Sequence, residues 1–83
     1  MSTRLRAGPV ISASGTAIIP VARVVTAVEE PMVWGALIPV AVVVLSSGEP
    51  VTWAIDGRVE PTERWLRLVP ELEGLLAAAM AVE

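Results

Sequence analysis

The apolar positions of this chain are not spread evenly. Residues 36–45, ALIPVAVVVL, run without one charge or hydrogen-bonding side chain. Val, Ile and Leu at successive positions put apolar groups on both sides of an extended chain, so the run predicts a central strand covered on both faces. It is too short for a membrane-spanning helix, which needs about 20 apolar residues, and its β-branched content disfavours a helix of any kind. Upstream, residues 10–13 predict a short strand, Ser14-Gly15 a two-residue turn, and residues 16–28 a long, bent strand. Glu29, Glu30 and Pro31 mark a loop, and residues 46–50, SSGEP, the clearest turn. Residues 51–55 alternate, with Val51, Trp53 and Ile55 on one face and Thr52 and Ala54 on the other, and Asp56-Gly57 turns the chain again. From Pro61 the period changes: Trp65, Leu68, Val69, Leu72, Leu75, Leu76, Ala79 and Met80 fall at three- and four-residue steps, one stripe of a helix. Pro70 must break that helix, which predicts one over residues 62–68 and a second over 70–81. Glu60 with Arg64 and Glu63 with Arg67 are favourable i,i+4 pairs. Gly74 suggests close packing against the sheet or a partner.

The expected fold is therefore α+β: a four-stranded, mainly antiparallel sheet with the C-terminal helices packed on one face and the other face in a homo-oligomer interface. Residues 1–8 are expected to be a frayed, flexible N-terminus and 9–83 a single domain. Two stretches also repeat one motif. AIIPVARVV at 17–25 and ALIPVAVVV at 36–44 agree at most positions, an offset of 19. Proline cannot donate to a ladder, so either Pro20 and Pro39 each make a bulge at one level of two neighbouring strands, or the repeat is a chance likeness of Val-rich strands.

Composition explains why association is expected. A chain of 83 residues buries only about 60% of its unfolded surface. With no Cys and no His, disulfides and the commonest metal ligands are absent. A hydrophobic fraction of 54% is more than a two-layer domain of this size can hide within itself. The formal net charge is −3, and all six basic residues are Arg, which offers no clustered positive charge for nucleic acid. Two positive charges near the start are followed by Ser12, Ser14 and Gly15 rather than by an apolar export segment, so a cytoplasmic protein is expected.

Candidate chemistry is sparse. Without His, Cys, Lys or Tyr, acid–base work would fall to Asp56 and the glutamates, most of them in turns or on a solvated helix face. Glu29-Glu30 reads as a polar turn rather than a cation site, and no metal or other cofactor is expected. Arg23, a charge within an apolar strand, either points to solvent, pairs across an interface or holds an anionic ligand in a pocket between sheet and helix. Trp34, Trp53 and Trp65 read as core or interface packing from each layer. The interface candidates are Arg23 and Trp34 together with one alternating set of the central strand. Either Ile38, Val40, Val42 and Val44 or Leu37, Ala41, Val43 and Leu45 face a partner, and the first set supplies the candidates Val40, Val42 and Val44.

One order of motifs has a likeness. Gly8-Pro9-Val10, then TAIIPVARV from Thr16, a loop, PVAVVV from Pro39, and Val69-Pro70-Glu71-Leu72 resemble the GerW-type family of sporulation and germination proteins over residues 8–72. The family's long Gly-rich insert between the two strands is replaced here by residues 29–35. The resemblance implies a small, non-enzymatic bacterial protein associated with spore formation or germination, and brings no catalytic residues with it.

Overall fold

The computed structural model describes residues 2–29 and 32–82. Its elements are β1 (Ser2–Ala7), β2 (Ile11–Ala13), β3 (Thr16–Glu29), β4 (Met32–Ser46), β5 (Glu49–Ala54), β6 (Val59–Glu60), α1 (Thr62–Leu68) and α2 (Glu71–Val82). The fold is α+β with an antiparallel sheet, as expected, but six strands replace four. Their order is β1-β3-β4-β5-β6, with β2 also paired to β3. The strands from β2 onward form a meander. Its turns at Ser14-Gly15 and Ser47-Gly48 hold φ positive at both positions (51° and 76°, 55° and 79°), the backbone that matches strand twist in a two-residue hairpin.

β1 was not anticipated, because residues 1–8 read as frayed. The signal was present: Thr3, Leu5 and Ala7 alternate with Ser2, Arg4 and Arg6, a period of two. Leu5 and Ala7 pack on the core. Glu71, opening α2, accepts from the Ala7 N–H at 3.0 Å and pairs with Arg6 at 3.2 Å, which occupies part of the outer edge of β1.

β1 and β2 share one edge of β3 and are separated by Gly8-Pro9-Val10. Pro20 lies opposite that gap, where a missing N–H leaves no ladder bond broken, and its carbonyl still accepts from the Gly8 N–H at 2.9 Å. The two proline motifs lie antiparallel against each other, and they share one bulge rather than carrying one each. Ala22 pairs with Pro39 and Val21 with Ala41, leaving Val40 as the extra residue.

The helices cover one face of the inner part of this sheet. Ala17, Ile19 and Val21 of β3 and Ala41, Val43 and Leu45 of β4 meet Trp65, Val69, Leu72, Leu76 and Ala79. α2 starts beside Ala7 and carries Ala79 to the Ser14-Gly15 end, so it runs alongside the inner part of β3 only. The predicted helix break is present: Val69, fully buried, accepts from the Leu72 N–H at 3.0 Å, and Pro70 precedes Glu71. Glu60 pairs with Arg64 at 3.3 Å, while no such bridge joins Glu63 and Arg67. Gly74 does not mark close packing, for a Cβ there would meet nothing within 4 Å. Gly74→Ala is therefore expected to stabilise the fold by about 1 kcal/mol in denaturant titration, the helix-propensity difference alone.

Candidate surface for self-association

Two apolar surfaces remain uncovered, and the bulge decides what each contains. Paired residues point to the same side of a sheet. On the inner part of β4, Ala41, Val43 and Leu45 face the helices, while Val42 and Val44 face away beside Pro20 and Ile18. Past Val40 the parity inverts: Ile38, opposite Arg23, lies on the helix side, and Leu37, opposite Val24, lies on the open side. Both alternating sets drawn from the sequence are therefore split. Of the candidates, Val42 and Val44 lie together on the open face. Val40 packs against the core, and Arg23 and Trp34 lie on the helix side of the outer hairpin.

The first surface is the open face of the inner sheet. Val59, Trp53 and Val42 follow one another across β6, β5 and β4, and Val51, Val44, Ile18 and Ile11 do so across β5, β4, β3 and β2. Trp53, which the sequence leaves between core and interface packing, lies on this open face. The polar Thr52 takes the buried side because its hydroxyl meets that of Thr62 at 2.8 Å, which leaves the indole outside. Of the three tryptophans only Trp65 is in the core, where its Nε1 donates to Glu60 Oε1 at 3.1 Å.

The second surface is the outer hairpin. From Met32 to Pro39 every β4 residue is exposed, so the uniformly apolar run is not covered on both faces within one chain. Beyond Thr26, among the described residues, only β3 and β4 pair, Ser2 of β1 standing opposite Thr26.

Other candidates do not assemble. Arg23 is exposed, one pleat beyond Val21, and forms no ion pair with a described residue. Between sheet and helix, Ile19, Val21 and Leu72 are fully buried. A cavity of about 260 Å³ lies at the other end of β3, lined by the Ser12–Ala17 hairpin and Ala79, just short of the ~300 Å³ at which ligand pockets begin. Asp56 is held below the ordinary carboxylate range by the Arg58 backbone N–H at 3.1 Å and by its guanidinium at 2.8 Å, which is the chemistry of an exposed turn. The Glu29-Glu30 pair falls on Glu30, outside the described residues, and among the described residues no cluster of three metal-ligating side chains occurs. No helix among them is long and apolar enough to cross a membrane. No family model, curated protein or solved structure matches the chain.

Proposed function

We propose that this chain is a non-enzymatic, self-associating structural module, and that the open face of its inner sheet is a contact between copies. The observation that carries this reading is the band of Ile11, Ile18, Val42, Val44, Val51, Trp53 and Val59 on the face opposite the helices. Trp53 alone leaves 36% of its surface to water. Isolated apolar residues on a surface need no explanation, but a contiguous band across five strands is the mark of an interaction face. Stacking two such faces would place them about 10 Å apart and form the sandwich core that the composition calls for. The GerW-type likeness of residues 8–72 is what connects this assembly to spore formation or germination, within the cytoplasm.

Native mass spectrometry of the purified chain tests the proposal. The expected result is an integral multiple of the 8.7 kDa chain mass. A single chain at micromolar concentration, with no retained mass, would overturn it.

A further inference from the structure

We infer that the outer edge of β4 in the distal hairpin, residues 32–38, pairs antiparallel with the same edge of a second copy about a two-fold axis at Gly35. The inference rests on self-association and names a contact separate from the stacked sheet face.

The edge is open. β3 occupies one side of β4 along its whole length, but β5 pairs with β4 only from Ala41 onward, and the last bond on that side runs from the Ile55 N–H to the Val40 carbonyl. Outward-pointing N–H and C=O groups from Met32 to Ile38 have no strand partner among the described residues. Monomeric proteins blunt such edges with charges, prolines or bulges. Residues 32–38, MVWGALI, contain none of these. Pro39 and the bulge at Val40 stand at the inner end of the segment, where they stop added pairing before it reaches β5.

The exposed area is what a dimer would need to cover. A compact monomer of 8.7 kDa exposes about 4,700 Å². This chain exposes 5615 Å², an excess close to the ~800 Å² that each partner contributes to a standard interface. Its radius of gyration, 14.3 Å, compares with about 12 Å for a compact chain of this length.

The segment also complements itself. Hydrogen-bond parity requires that paired residue numbers sum to an even value, which puts the two-fold axis on a residue. With Gly35 on the axis, Met32 meets Ile38 of the second copy, Val33 meets Leu37, and Trp34 meets Ala36, so the largest side chain lies against one of the smallest. The residue that meets its own copy is the one without a side chain. No charge faces a like charge, because the segment has none.

Cysteine pairing tests the contact, and the native chain has no Cys to interfere. Val33 and Leu37 are 70% and 71% exposed, so Val33→Cys and Leu37→Cys are expected to fold. Paired residues would stand about 4.5–5.5 Å apart at Cα, within disulfide range. Two copies of either cysteine alone would be separated by about 14 Å along the strands. Co-refolded and mildly oxidised, the mixture should give at least ten times more disulfide dimer than either variant alone, and that dimer should contain one chain of each kind. If native mass spectrometry shows an oligomer but the mixture cross-links no better than the single variants, edge pairing is overturned while self-association stands. A foreign chain retained on the protein without mixed dimer would overturn edge pairing as well. A monomeric parent chain would remove both.

Discussion

Val43→Asp is expected to unfold the chain, whereas its neighbour Val42→Asp should leave it folded and separate the stacked faces. Val43, beside Ile19 of β3, is fully buried between the sheet and the helices. An ionised carboxylate there loses its hydration with no partner to replace it, and a protonated one still leaves an unsatisfied polar group, a cost of several kcal/mol. The whole stability of a domain this size is on the order of 4–12 kcal/mol. Val42 points the other way, is only half-buried, and stands opposite Trp53 on the open face. An aspartate there can reach water in the single chain but meets an apolar surface in the stacked pair. Far-ultraviolet circular dichroism should therefore report lost structure for Val43→Asp and native structure for Val42→Asp, with native mass spectrometry showing a smaller assembly for the latter. An unchanged oligomer in Val42→Asp would exclude the open face as the contact. Folded, soluble products from both variants would contradict the burial of Val43.

Trp65→Ala should cost about 3–5 kcal/mol, the range for removing a buried aromatic side chain. Trp65 is the large residue of α1 in the core, and Val69, which donates back to its carbonyl at 2.8 Å, depends on the same turn. For a domain this size each kcal/mol lowers Tm by about 4–8 °C, so a loss of at least ~12 °C is expected in thermal melts at matched concentration. Trp65→Phe keeps most of the packing and removes the hydrogen bond to Glu60 together with part of the ring. Because the Glu60 side chain retains 20% exposure, water can take the place of the indole N–H, and the cost should fall to about 1 kcal/mol plus the lost ring contacts. Equal melting temperatures for the Ala variant and the parent would show that α1 is not anchored through this ring.

Local chemistry alone determined the turns, the helices and the α+β class. Ser14-Gly15 and Ser47-Gly48 turn the chain because their conformational preferences are set within two residues. The α1–α2 break at Val69-Pro70 follows from a missing N–H. The face of the inner sheet that meets the helices was not legible in this way. A run such as 36–45 has no polar residue to fix its phase, and one extra residue at Val40 exchanges the sides of everything beyond it. Neither did residue type alone show that Thr52 is buried and Trp53 exposed. That depends on Thr62 arriving from another element with a matching hydroxyl. Tertiary structure also decided how far the cover extends. α2 begins beside Ala7 and runs away from the outer hairpin, so the same apolar composition is core at Val43 and exposed edge at Val33.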